Sequence, residues 1–103
     1  MQETILMPGG RLDSATAPAF ECEMIAATPA DTQNLLIDLA NLAYVSSAGL
    51  RVLLVAAKRV RAVGGRVALC GLQPRVAEVF DIRGFGAIVP VYPDRHSALA
   101  ALR

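Results

Sequence analysis

Two adjacent hydroxyls, Ser46 and Ser47, stand where the pattern of the chain changes. Before them runs Asn34-Leu-Leu-Ile-Asp-Leu-Ala40, in which Leu35, Leu36, Ile37 and Leu39 form an apolar run of strand length. After them a helical pattern extends from Ala48 to Val63. A residue at the joint between a buried strand and a helix faces solvent. The N–H groups and dipole of the helix start favour negative charge there. The chemistry this suits is a phosphate arriving on a serine, with Ser47 as the switch of a small regulatory binding module. Helix capping accounts for one hydroxyl, at about 1 kcal/mol. It does not account for a second, nor for Ala48-Gly49 in the first turn, where small residues give up helix propensity and let something approach closely.

The remaining reactive side chains make no site. A serine on a strand-to-helix turn is shared with the nucleophile elbow of hydrolases, but that motif needs glycine two positions before and two after the nucleophile. Gly49 fits, position 45 is Val, and the one histidine, His96, lies on a C-terminal helix expected to be solvated. Asp31, Asp38, Asp81 and Asp94 do not follow a metal-ligand pattern. Cys22 and Cys70 are far apart, each in an apolar pattern, and read as buried free thiols of a cytosolic protein. Gly9-Gly10 and Gly64-Gly65 mark a turn and a helix end, not a phosphate-binding loop. No catalytic residue, metal or cofactor is expected, and the chain reads as a binding protein and not an enzyme.

Composition narrows the partner. A chain of 103 residues suits one domain, 1–103, and 54% hydrophobic with 18% charged residues indicates a packed core. A net charge of +1 gives no reason to expect nucleic acid or an anionic membrane, and without Trp a base-stacking surface is not expected. No apolar run approaches the roughly 20 residues of a membrane span. Met1-Gln2-Glu3-Thr4 lacks the start of a signal peptide, so a cytoplasmic location is expected.

The elements that must hold the serines read in order as follows. Thr4–Met7 is a short strand, and a Gly10-Arg11-Leu12-Asp13 turn leads to a helix that Asp13, Ser14 or Thr16 can cap and Pro18 can open, with Ala17, Phe20, Met24, Ile25 and Ala27 as its apolar stripe. The strand over 34–40 and the segment 41–45 bring the chain to the serines. The long helix has one apolar face of Leu50, Leu53, Leu54, Ala57 and Val60 and a second of Val52, Val55, Ala56 and Ala62; burial within the domain or a docking face would each explain the second. Arg51, Lys58, Arg59 and Arg61 form its polar edge, and Gly64-Gly65 ends it. A strand over 66–69, a helix over 75–82 closed by Arg83-Gly84 with Phe85 packing behind, a strand over 87–92 and a terminal helix after Pro93-Asp94 complete the chain. This regular alternation predicts an α/β fold, about four mostly parallel strands alternating with four helices.

The ordered set Gly10-x-Leu12-Asp13, Leu36-Ile37-Asp38-Leu39, Tyr44-Val45-Ser46-Ser47-Ala48-Gly49-Leu50, Gly64-Gly65 and Val79-Phe80-Asp81-Ile82-Arg83-Gly84-Phe85 resembles the STAS domain, and within it the bacterial anti-sigma factor antagonists. The resemblance runs from about Ile5 to Leu102. It implies partner switching: an anti-sigma factor that is also a serine kinase binds the unmodified antagonist, phosphorylates it and lets it go, and a metal-dependent serine phosphatase resets it. The family motif Asp-Ser-[Ser/Thr]-Gly-Leu places the acceptor at Ser47 and aligns Ala48, Gly49 and Leu50 behind it. Ser46 stands where the family carries Asp, which makes Ser46 a minor second acceptor. The partner is expected to touch Asp13, Ser14, Thr16, Tyr44, Ser46, Ser47, Ala48, Gly49, Leu50 and Arg51. The alternative is a STAS docking module of a transporter or stressosome-type complex that is never phosphorylated. A monomer or weak homodimer is expected, with a sheet one strand short or an exposed edge at the N-terminus. The surface around Ala48, Gly49 and Leu50 reads as small and neutral, suited to close contact, where burying a phosphate without a matched cation would be costly.

Overall fold

The computed structural model describes residues 3–103; Met1 and Gln2 lie outside the described residues. The chain runs β1 (Thr4–Leu6), β2 (Gly10–Leu12), α1 (Ala17–Ala27), β3 (Asn34–Asp38), β4 (Leu42–Val45), α2 (Ser47–Arg61), β5 (Arg66–Cys70), α3 (Pro74–Ile82), a 3-10 turn (Phe85–Ala87), β6 (Val91–Tyr92) and α4 (Arg95–Leu102). Strand β3 is buried along its whole length because both faces of its sheet are covered. Leu35 and Ile37 face the main core with Val67 and Leu69 of β5, under α1 and α2. Leu36 faces the other way, packing with Ala68 and Cys70 against Ala98 and Leu102 of α4. The period of two is hidden in the sequence because both sides of the strand are apolar.

The main sheet has the order β1-β3-β5-β6, and β1 forms its edge, paired in parallel with β3. The α/β class, the four helices and the parallel pairing are as expected. The four expected strands all lie in this sheet, and two further short strands were not foreseen. A second, two-stranded sheet pairs β2 in parallel with β4, matching Arg11 with Tyr44 and Leu12 with Val45. Both of its strands are too short to show alternation, and Gly10–Leu12 has the local composition of a turn.

The strand expected over 87–92 shrinks to Val91–Tyr92. Gly84 takes the left-handed conformation, φ 67°, and Phe85 turns inward onto Phe80 with ring centroids 4.8 Å apart. Pro90 has no N–H to extend a ladder.

Helix α1 buries Ala17, Phe20 and Met24, but Ile25, expected in the stripe, is 44% exposed. Cys22 is also exposed, contrary to expectation, while Cys70 is buried. Helix α2 buries both of its apolar faces in one core: Val52 and Ala56 of the second face are inside with Leu50, Leu53, Ala57 and Val60. Ala62 of that face is exposed. The helix ends as Gly64 reaches φ 79° while the Gly65 N–H bonds to Val60 O at 3.0 Å and the Gly64 N–H to Arg61 O at 3.0 Å. That pair of bonds is the Schellman closure that glycine permits.

Candidate functional site

Because β2 and β4 are parallel, the loops that leave them emerge at the same end. One carries Asp13–Thr16, the other Ser46 and Ser47. The joint is held by the Ser46 N–H, which donates to Leu12 O at 2.9 Å.

Ser46 and Ser47 have separate tasks. Ser46 is the N-cap of α2: its backbone is extended, and its hydroxyl accepts the Gly49 N–H at 3.4 Å. Ser47 is the first helical residue and is exposed. Its hydroxyl oxygen accepts from the Arg83 guanidinium, with Nη2 at 2.8 Å. Arg83 ends α3; its N–H bonds to Val79 O at 3.1 Å, and the buried Phe85 two residues on anchors the turn behind it. The small, neutral surface expected around Ala48, Gly49 and Leu50 therefore has a cation at its edge that was not expected. A cation is already in contact with the hydroxyl, placed there from a distant part of the chain.

Gly49 also has a different explanation from the one expected. A Cβ at this position would lie 2.5 Å from Leu12 O and 2.9 Å from both Leu12 Cγ and Val45 Cγ2. The residue is small so that the start of α2 can close on β2 and β4. Gly49 and Leu50 are buried, and Ala48 is half-buried. Leu50 still lines a shallow groove of about 250 Å³ with Ser47, Arg51, Leu54, Arg83, Phe85 and Ile88.

The other loop is locked by its own hydrogen bonds. Asp13 Oδ1 accepts the N–H groups of Ala15 at 3.0 Å and Thr16 at 3.1 Å, and Oδ2 accepts from Arg11 Nε at 3.3 Å. The Thr16 backbone N–H, chief among these donors, holds the Asp13 carboxyl below the usual carboxylate range. Thr16 Oγ1 donates to Arg11 O at 2.8 Å and receives the Asp13 N–H at 2.9 Å. Of the three caps considered for α1, Thr16 holds the N-cap position but its hydroxyl caps no helix N–H, and Asp13 takes the loop's N–H groups. Ser14 is exposed in the same turn. The Arg11 guanidinium sits 4.4 Å over the Tyr44 ring, which ties this loop to β4. Arg51 pairs with Glu21 of α1 at 3.3 Å across the surface, a contact of little stability value.

Sequence reasoning therefore named most of the residues at this end but missed Arg83, Arg11 and the groove residues Leu54, Phe85 and Ile88. Arg83 was visible only as part of a helix exit. Among the described residues no cluster of His, Cys, Asp and Glu could hold a metal. No helix of the described residues is long and apolar enough to cross a membrane.

The STAS domain family model matches residues 2–98. The chain belongs to the STAS domain family. A Bordetella bronchiseptica relative, BtrV, described as a candidate anti-sigma factor antagonist, is 45% identical over 94 residues, covering 91% of this chain and 81% of that one. The anti-sigma F factor antagonist of Paenibacillus polymyxa is 30% identical over 99 residues, covering 95% of this chain and 85% of its own. The crystal structure of an anti-sigma factor antagonist from Mycobacterium paratuberculosis superposes with a TM-score of 0.89 at 26% identity, covering 98% of this STAS chain and 86% of that one.

Proposed function

We propose that this STAS protein is a cytoplasmic anti-sigma factor antagonist that binds an anti-sigma factor with serine kinase activity and is released by phosphorylation of Ser47. The observation that carries the reading is the division of labour at the joint. Ser46 is occupied as the cap, which leaves the exposed Ser47 hydroxyl, held only by the exposed Arg83 side chain, as the one to react. In the transfer, Ser47 Oγ forms a bond to the γ-phosphorus of ATP, the bond to the β-bridging oxygen breaks, and ADP leaves. The hydroxyl proton passes to a base of the kinase. A serine phosphatase reverses the change by hydrolysis. The contact face is the β2–β4 end of the molecule, with Asp13, Ser14 and Thr16 on one side and Tyr44, Ser46, Ser47, Ala48 and Arg51 on the other and the groove edge of Leu50 beside them, while buried Gly49 lies behind it. The names of the relatives supply the partner class.

A phosphate of roughly −1.5 to −2 charges placed in such a contact must be desolvated or expelled. A hundredfold loss of affinity requires about 2.7 kcal/mol. The test is calorimetric titration of the purified chain with its anti-sigma factor, together with mass spectrometry after incubation with ATP. Ser47→Ala should bind and stay bound in ATP, Ser47→Asp should bind about a hundredfold more weakly, and the phosphate should map to Ser47. Equal affinity of the two variants refutes the switch. Constant binding with no phosphate incorporated supports the docking-module alternative.

A further inference from the structure

We propose that Arg83 is the internal counter-ion of phosphorylated Ser47: on modification the guanidinium moves from the hydroxyl oxygen to the phosphate oxygens and is withdrawn from the docking face. This rests on the reading of Ser47 as the modified residue and adds how the fold receives the charge.

Three observations support it. Arg83 Nη2 already donates to Ser47 Oγ at 2.8 Å, so a phosphate built on that oxygen arrives within reach of the same planar fork, which is suited to bidentate capture of phosphate. The Arg83 side chain belongs to an exposed residue and needs only to swing outward to make room. Among the described residues no carboxylate forms an ion pair with Arg83, whereas the other groove cation, Arg51, is engaged by Glu21. The phosphate thus has a cation waiting for it with no competitor to displace.

The consequence is a change of surface in two respects. The modified protein gains negative charge at Ser47 and loses a free guanidinium beside it. Any acidic group of a partner that uses Arg83 is deprived of it, while the fold keeps a matched pair. Release then comes from withdrawal of a cation as well as from addition of an anion.

Phosphoserine can be installed at position 47 during translation by amber-codon suppression, without any kinase, and its second ionisation followed by phosphorus NMR. The phosphate of the unsubstituted protein should titrate lower than that of Arg83→Gln by about half a unit or more, as a neighbouring cation favours the dianion. Arg83→Lys, which keeps the charge without the fork, should keep part of the displacement. On the unsubstituted chain, the Arg83 Nε–H signal should shift and exchange more slowly when position 47 carries phosphate. Identical phosphate titration with and without the Arg83→Gln substitution, or an Arg83 Nε–H signal indifferent to the phosphate, overturns the proposal. Because the phosphate is placed synthetically, that failure would leave the partner reading untouched; the binding experiment above decides that one separately.

Discussion

Ser46, Ser47 and Gly49 lie within four positions, yet each is constrained by a different force. Ser46 holds the Gly49 N–H in the first turn of α2, Ser47 holds nothing but an exposed guanidinium, and Gly49 leaves room for the Leu12 carbonyl. Their substitutions should separate accordingly in urea denaturation. Ser46→Ala should lose about 1 kcal/mol as a cap is removed. Ser47→Ala should stay within about 0.5 kcal/mol, as for surface changes in general. Gly49→Ala should lose about 1–3 kcal/mol, because the added methyl meets backbone that cannot give way cheaply. A costly Ser47→Ala would mean that the hydroxyl is part of the fold and not spare for chemistry.

At the scale of elements, β5 shows how the second layer is built. Its alternate residues Ala68 and Cys70 turn away from the main core toward α4, and Asp38 at the end of β3 is tied to Arg95 of the same helix at 3.0 Å. Burial first, and then the Asp38 carboxylate, push the Cys70 thiol up to about 11 from an ordinary 9.0. The unfolded chain would therefore release this proton at lower pH than the folded one. The contribution is complete below pH 9.0 and is lost as pH rises toward about 11. Urea midpoints should fall across that interval, and the fall should vanish in Cys70→Ala compared with its own value at neutral pH. At about pH 8 a thiol reagent should label Cys22 promptly and leave Cys70 unlabelled until the chain unfolds, since only the first is exposed. Prompt labelling of both would show that α4 does not seal this face.

At the scale of the molecule, the two sheets divide the work. The four-stranded sheet carries the core, while the two-stranded one presents two loops side by side and one helix start between them. A charge added at that rim touches little of the core. Phosphoserine at position 47 should leave the circular dichroism spectrum unchanged and raise the melting temperature by a few degrees at low salt, since a helix-end interaction contributes about 0.3–1 kcal/mol. The rise should fade as salt screens it. A melting temperature lowered by phosphate at every salt concentration would show that Ser47 is coupled to the core.

The sequence alone determined the elements that are long and have strong punctuation. α2 was legible from Leu50, Leu53, Ala57 and Val60 and from Gly64, and β3 from its unbroken apolar run, because helix periodicity and glycine stops are local properties. Ser47 was legible through the resemblance of its surrounding motif. β2 and β4 were not, since Gly10–Leu12 and Leu42–Val45 become strands only by pairing with each other across the intervening α1 and β3. The last strand was overdrawn because Phe85 is claimed by Phe80, a contact that no local pattern reports. Only the tertiary structure decided which serine caps and which is free, that Gly49 serves packing, and that Arg83 stands over Ser47. Those outcomes depend on which surfaces meet when distant segments pack, and packing in three dimensions is not a function of neighbours along the chain.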